Sequence, residues 1–190
     1  MKFSAALATA ALAHVTSAHY FFDKVFMHGQ QVGKPLEYIR QNTRSVAYMP
    51  TKWKNTFDNL TPDDPDFRCN LGAFKSASRT KVLEVKAGTT LAMGLGVEAT
   101  MQHPGPGLVH MTKAPGSVQE YEGDGEWFKI FEEGMCDKTK DIKGTAWCTW
   151  DKDRIEFTIP AATPNGEYLI RAEHIAIHGA HDGQAEFYYG

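Results

Sequence analysis

The sequence predicts an all-β fold, an antiparallel sandwich with long loops, and two patterns carry this prediction. Apolar residues alternate with small or polar ones at 91–97 and at 155–159, and a period of two is typical of half-buried strands. Clusters of turn-forming residues separate such stretches, and short strands punctuated by turns favour an antiparallel sandwich. The clusters are residues 61–65, HPGPG at 103–107, GDG at 123–125 and TPNGE at 163–167.

The N-terminal segment has the layout of a cleavable secretory signal. Lys2 gives it a short basic head, an apolar run covers residues 3–13, and the small residues Ser17 and Ala18 precede the expected cut. The run is shorter than the roughly 20 residues that span a bilayer, and no later segment comes closer. We therefore expect residues 1–18 to be removed, giving a secreted, extracellular chain that begins at His19 and has no membrane partner.

The mature region, 19–190, is expected to form one catalytic domain. A chain of 190 residues with 42% hydrophobic content supports one real core better than two, and no internal repeat suggests a boundary. The 20 basic and 23 acidic side chains give a formal charge of −3. No broad basic face is available, which argues against nucleic acid as a partner. We expect a monomer.

Two long loops are predicted, at 30–70 and at 114–145. Loops of this length in a compact domain are either disordered or functional. Their aromatic side chains either anchor them or present stacking faces, and anchoring is the commoner role. Asn59-Leu60-Thr61 is a glycosylation sequon, so we expect a glycan on Asn59, although Pro62 directly after it reduces its use.

Three cysteines are present, and an odd number is unusual for an oxidising compartment. The spacing of Cys136 and Cys148 suits a local, loop-closing disulfide. Cys69 is then left without a mate, which means either a free thiol or a partner outside the chain.

Two of the histidines stand out as candidate metal ligands. A terminal His19 can chelate one ion through its α-amino group and its ring, because an amine of pKa about 7.7 to 8.0 loses its proton readily to a metal. His103 opens the HPGPG turn, where Pro104 and Pro106 hold the backbone rigid. Three neutral nitrogen donors in a tetragonal arrangement favour Cu(II). The alternative is a chance N-terminal histidine that merely scavenges metal.

The end of the chain carries the candidate catalytic residues His178, Glu186 and Tyr188. A strand over EFYY would place Glu186 and Tyr188 on one face and Phe187 on the other. One interpretation is an ordinary strand with Phe187 inward. The other places Tyr188 beside the metal, with His178 and Glu186 as hydrogen-bonding groups that orient bound oxygen.

Several segments spread over nearly the whole mature region resemble, in order and spacing, one known family. The segments are HYFF from His19, DFRCN at 66–70, HPGP at 103–106, WFKI at 127–130, WCTWDKDRIEFTIPAATPNGEYLIRAE at 147–173, IAIH at 175–178 and EFYY at 186–189. The family is that of the fungal lytic polysaccharide monooxygenases, auxiliary activity family nine, formerly glycoside hydrolase family 61.

The resemblance implies an immunoglobulin- or fibronectin-like β-sandwich with a flat site for one copper ion. His19 would be a ligand through its amine and its ring, His103 the second ligand, Tyr188 the axial tyrosine and His178 the histidine beside the site. The family usually has glutamine two residues before this tyrosine, whereas this chain has Glu186. A carboxylate there can change how oxygen or peroxide is held and protonated.

The resemblance also implies a reaction. One copper ion, an external electron donor (a small molecule or a redox protein) and O2 or H2O2 would together hydroxylate C1 or C4 of a β-1,4-linked glucan. The substrate would be cellulose, with hemicellulose as the alternative, and binding to a crystalline surface calls for a planar protein face. Such C–H bonds are too strong for side-chain acids and bases, so the reaction requires a redox cofactor.

The family resemblance suggests an explanation for Cys69. Its members commonly join the cysteine of the DFRCN-like segment to one just after the tyrosine strand, and this sequence stops at Gly190 before such a residue. We expect a chain that lacks its C-terminal strand and a substrate-contacting loop. Losing a native disulfide costs a small secreted domain about 2 to 5 kcal/mol.

Two other functions fit parts of the sequence. A glycoside hydrolase needs two facing carboxylates, and acidic residues are plentiful, but they cluster in loop-like stretches; the candidates are Asp63, Asp64, Asp66, Glu132 and Glu133. A secreted copper- or carbohydrate-binding protein without turnover is the non-catalytic alternative.

Overall fold

The structure, a computed structural model, describes residues 19–190 and is built almost entirely from strands and loops. The expected signal, residues 1–18, lies outside the described residues. The described residues contain eight strands: β1 (Phe22–Met27), β2 (Gln30–Val32), β3 (Thr90–Leu95), β4 (Gly107–Lys113), β5 (Trp127–Glu133), β6 (Arg154–Thr158), β7 (Tyr168–Ala176) and β8 (Glu186–Tyr189). The helical segments within 19–190 are short 3-10 turns: Pro65–Arg68, Ala73–Arg79, Val118–Glu120 and Ala180–Asp182.

The strands form two four-stranded antiparallel sheets. The first has the order β2-β1-β3-β6 and the second the order β5-β4-β7-β8. Each sheet turns one apolar face towards the other, and the core lies between them. The predicted all-β antiparallel sandwich is therefore confirmed.

The alternating residues of the sequence supply the core from both sides. In β3 and β6 the inward residues include Leu91, Met93, Ile155 and Phe157, each at most 5% exposed. The second sheet supplies the fully buried Val109 of β4, together with neighbouring residues of the same cluster. Burial of such side chains contributes about 1.5 to 3 kcal/mol each.

The prediction was wrong at the end of β3 and in the second loop. Strand β3 stops at Leu95, and Val97 lies beyond it with a positive φ and a largely exposed side chain. The predicted loop at 114–145 contains β5, an edge strand with Phe128 exposed. Because both faces of β5 are partly in water, and its register with β4 shifts between Val109 and His110, its sequence alternates only weakly.

The first predicted loop is tied to the second sheet. After β2, the chain runs without a strand to β3, and the backbone of Thr51 pairs with that of Phe187 in β8 (Thr51 N to Phe187 O 3.0 Å, Phe187 N to Thr51 O 2.9 Å). The Thr51 hydroxyl also bonds the Tyr189 hydroxyl and accepts from Arg44. These contacts hold residues around 51 against β8. Asn59 lies exposed in the same loop, and its glycosylation stays a prediction.

The cysteines behave as the sequence indicated. Cys136 and Cys148 form a disulfide with a Cα–Cα distance of 5.0 Å, which closes the segment between β5 and β6. Cys69 is free. It lines a cavity of about 160 Å³ beside the sandwich, together with Arg40, Arg171 and Gly190. Burial raises the pKa of the Cys69 thiol despite the neighbouring arginines.

Within residues 19–190 there is no helix of the length and apolarity that a membrane crossing requires.

Candidate metal centre

Four separate stretches of the chain bring the predicted site residues to one edge of the sandwich. His19 lies three residues before the start of β1, His103 precedes β4, His178 follows β7, and Glu186 and Tyr188 lie on β8. Three other rings of the group lie close to the ring of His103. Its centroid lies 6.0 Å from that of His19, 4.7 Å from that of His178 and 5.8 Å from that of Tyr188.

The HPGPG segment holds His103 in place by docking along β7. Ile175 N donates to Pro106 O at 3.1 Å, and Ile177 N donates to Pro104 O at 2.8 Å. Between the two prolines, Gly105 has a φ of 157°, and a Cβ on it would lie 1.8 Å from Ile175 O. Only glycine allows the segment to approach β7 this closely, so the turn sequence fixes the position of His103.

One group of three side chains within the described part of the chain could hold a metal ion: His19, His103 and Glu186. One ligand atom from each lies within 4.8 Å of the others. Two nitrogens that bind the same ion at about 2.0 to 2.1 Å lie at most about 4 Å apart. The observed spacing is therefore close to what a shared ion requires.

Tyr188 lies beneath the two histidines but is engaged by a neighbour. Its ring is 2% exposed and stacks at 6.0 Å and 30° from that of His19. Its hydroxyl donates to Glu186 Oε2 at 2.7 Å. Burial, reinforced by the negative charge of Glu186, raises the pKa of Tyr188. The phenol is thus kept neutral, as a donor.

Glu186 is a buried carboxylate with a partner on each oxygen. Lys52 Nζ lies 2.7 Å from Oε1, while Oε2 accepts the Tyr188 hydroxyl. Oε2 also faces the Nε2 atoms of His103 at 3.8 Å and His178 at 3.9 Å. Burial alone would raise the pKa of Glu186, but the bonds from Lys52 and Tyr188 outweigh it, so the pKa lies below its ordinary value.

His178 lies at the exposed side of the histidine cluster, and Gln184 lies outside the cluster. His178 stacks on His103 with an interplanar angle of 27°, and its side chain is 44% exposed. Gln184, two places before Glu186, bonds Asn55 and Asp182 instead of the histidine cluster.

Sequence reasoning missed a buried pair behind the cluster, Tyr20 and His174. Their side chains bond at 2.5 Å (hydroxyl to Nδ1), and the Tyr20 ring packs 4.3 Å from that of Tyr188. Burial, with a smaller contribution from His103, lowers the pKa of His174 to about 3, so its ring is neutral. The available signal was the alternation in β7, which places His174 inward between Ala172 and Ala176.

Three of the five carboxylates of the hydrolase alternative, those of Asp64, Asp66 and Glu132, have partners close to them in sequence. Asp64 accepts from the backbone and hydroxyl of Thr61, and Asp66 accepts from Gly72 N. Glu132 pairs with Lys129 on the surface of β5. These three carboxylates therefore serve their own local structure.

Taken together, the fold and the cluster define a class: a β-sandwich protein with a histidine group of metal-binding composition at one edge. Residues 19–190 match the family model described as Auxiliary Activity family 9 (formerly GH61). The chain belongs to this family, which confirms the resemblance seen in the sequence.

Named relatives agree with the family model. The chain is 68% identical over 183 residues to AA9 family lytic polysaccharide monooxygenase D of Emericella nidulans, and 64% identical to monooxygenase A of Aspergillus fumigatus. Both alignments cover 96% of this chain and 63% of the relative. The chain thus spans slightly less than two thirds of the length of these relatives.

Solved structures show the same architecture. A cellulose-active polysaccharide monooxygenase from M. thermophila superposes with a TM-score of 0.68 at 25% identity, covering 90% of this chain and 75% of that one. The protein HiLPMO9B superposes with a TM-score of 0.69 at 22% identity over the same shares, which supports the fold.

Proposed function

We propose that this chain is a secreted lytic polysaccharide monooxygenase that cleaves β-1,4-linked glucan by hydroxylation at C1 or C4, with one copper ion bound by His19 and His103. The observation that carries the proposal is the convergence of these two imidazoles beside Glu186 at the edge of the sandwich. Family membership and the names of the relatives support the same chemistry.

The donor set fits copper. His19 and His103 offer neutral ring nitrogens, and removal of residues 1–18 would add the α-amino nitrogen of His19. A site of three nitrogen donors favours Cu(II) over the other common divalent ions. Copper, when bound, supplies the one-electron redox chemistry with O2 or H2O2 that C–H hydroxylation needs. The electrons come from an external donor.

The surrounding residues have separate tasks in this proposal. Tyr188 stays a neutral phenol and lies on the buried side of the site. Its hydroxyl donates a hydrogen bond to Glu186. His178 orients bound oxygen by hydrogen bonding, because its ring is half exposed while its Nε2 faces Glu186 Oε2 at 3.9 Å. Glu186 accepts hydrogen bonds at the boundary between the buried residues and the histidines.

The substrate assignment is cellulose, with hemicellulose as the alternative. The M. thermophila neighbour is described as cellulose-active. Trp53, next to Lys52 on the loop that is tied to β8, is 47% exposed and offers an aromatic face for stacking on sugar rings. We assign it this contact with the polysaccharide.

The test is product analysis with correctly processed protein. The chain that begins at His19, loaded with Cu(II) and given cellulose, ascorbate and oxygen, should release oxidised oligosaccharides detectable by mass spectrometry. The His19→Ala variant should release none above background. His181→Ala removes a histidine outside the cluster and should retain the activity of the unsubstituted chain.

The alternatives give different results in the same assay. A non-catalytic copper-binding protein would bind Cu(II) and release no oxidised product. A glycoside hydrolase would release unoxidised oligosaccharides without ascorbate. Either result contradicts the proposal.

A further inference from the structure

We propose that Lys52 is a positioning residue of the metal centre: its ion pair with Glu186 keeps this carboxylate from binding the metal held by His19 and His103. This inference rests on the proposed copper site. It concerns a residue from the long loop after β2 that sequence reasoning did not single out.

Glu186 has the composition and the place of a metal ligand. It is one of the three groups whose ligand atoms lie within 4.8 Å of one another, and carboxylate oxygens bind divalent metals readily. Its side chain is 6% exposed, so water is not available to solvate its charge fully. The protein therefore needs a feature that decides whether this carboxylate pairs with the metal or with another cation.

Lys52 is that other cation. Its Nζ lies 2.7 Å from Oε1, and its own side chain is only 14% exposed. With the Tyr188 hydroxyl 2.7 Å from Oε2, each carboxylate oxygen has a hydrogen-bond partner. Bonds of this kind between charged groups are about twice as strong as neutral ones. Glu186 would have to lose the bond to Lys52 or to Tyr188 before it could bind a metal.

The fold holds Lys52 where this pairing can form. Backbone hydrogen bonds join Thr51 of the loop to Phe187 of β8. Thr51 directly precedes Lys52, and Phe187 directly follows Glu186. Arg44 Nη2 donates to the Thr51 hydroxyl at 2.7 Å, and that hydroxyl lies 2.9 Å from the Tyr189 hydroxyl. The position of Lys52 is therefore set by backbone pairing and a buried network, rather than by its flexible side chain alone.

The pairing also sets the charge beside the metal. Lys52 and Glu186 together carry no net charge, so this pair adds no net negative charge beside the metal. Without Lys52, the buried carboxylate keeps the bond from Tyr188 but loses the ammonium group that balances its charge, and an unpaired buried charge is costly. Glu186 should then rotate towards the metal and bind it.

The test compares the Cu(II) complexes of four chains that begin at His19: unsubstituted, Lys52→Met, Glu186→Gln and the double variant. In Lys52→Met the electron paramagnetic resonance spectrum should change to that of a site with an added oxygen ligand, and Cu(II) affinity should rise about tenfold. The double variant, which has no carboxylate, should return to the unsubstituted spectrum. Lys54→Met, an exposed lysine of the same loop, is the matched control and should change neither property.

Unfolding of the same chains without copper separates positioning from stability. Each single substitution leaves one buried charge unpaired. The losses of unfolding free energy in Lys52→Met and in Glu186→Gln should therefore add up to more than the loss in the double variant. Lys52→Gln keeps a hydrogen-bond donor to Oε1 without the charge. It replaces Lys52→Met in every measurement if the latter does not fold, and its spectrum should show the same oxygen ligand.

Two outcomes overturn the proposal in distinguishable ways. If Lys52→Met lowers stability but leaves the Cu(II) spectrum and affinity unchanged, Lys52 is structural only and the inference is wrong, while the proposed copper site stands. If the unsubstituted chain binds no Cu(II), the proposed function fails and the inference fails with it.

Discussion

A His103→Ala chain that begins at His19 should bind Cu(II) at least about 100-fold more weakly than the unsubstituted chain. Losing a group that only orients a ligand already costs about 10- to 100-fold in metal affinity, and His103 is proposed as a ligand itself. The ring centroids of His19, His178 and Tyr188 all lie within 6.0 Å of that of His103. Competition titration against a chelator of known affinity measures the change.

The control for this substitution is His181→Ala. His181 lies in the exposed 3-10 turn Ala180–Asp182, close in sequence to the site but outside the histidine cluster. Its loss should leave Cu(II) affinity within about twofold of the original. An unchanged affinity in His103→Ala would show that His103 is not a ligand.

Gly105→Ala should destabilise the protein by about 3 kcal/mol, at the upper end of what single substitutions usually cost. The added Cβ would lie 1.8 Å from Ile175 O and 2.9 Å from Ile175 C, both backbone atoms that a side-chain rotation cannot move. The φ of 157° adds strain for any residue with a Cβ. The segment would have to leave β7 and lose the bonds that Pro104 and Pro106 accept.

Urea denaturation of the copper-free chain measures this cost, and Gly116→Ala is its control. A Cβ on Gly116 meets no atom within 4 Å, so this substitution should change stability by less than about 1 kcal/mol. Because the turn also positions His103, Gly105→Ala should weaken Cu(II) binding as well. Equal stability of the two variants would contradict the role assigned to Gly105.

Much of the fold was accessible from the sequence because its signals are local. Alternation predicted β3 and β6, and three of the four turn clusters lie at or just before the starts of β4, β5 and β7. The convergence of His19 and His103 was anticipated from a terminal histidine, a rigid proline-glycine turn and the family resemblance. The structure brings His178, Glu186 and Tyr188 to the same place.

What the sequence did not reveal depends on contacts between distant segments. Lys52 contacts Glu186 because Thr51 pairs with Phe187, a residue far away in the sequence. No periodic pattern of apolar residues predicts that pairing. The bond between Tyr20 and His174 likewise joins the first and seventh strand regions. Edge strand β5 was missed because exposure on both faces weakens the alternation on which strand prediction relies.

These distant contacts change the interpretation of Glu186. The sequence suggested a group that orients bound oxygen, and the structure adds a lysine partner on one oxygen and a tyrosine donor on the other. The ion pair of Lys52 and Glu186 carries no net charge, as a neutral hydrogen-bonding side chain at this position would. We therefore regard Lys52 and Glu186 as one functional unit.

We propose that His19 binds copper through its own freed amine as well as its ring. Comparing the Cu(II) affinity of the chain that begins at His19 with that of the same chain carrying one additional alanine before His19 tests it most directly. Both proteins retain every imidazole, and only the amine is blocked by a peptide bond. We predict that the added alanine weakens Cu(II) binding by at least about 100-fold; equal affinities would contradict the account.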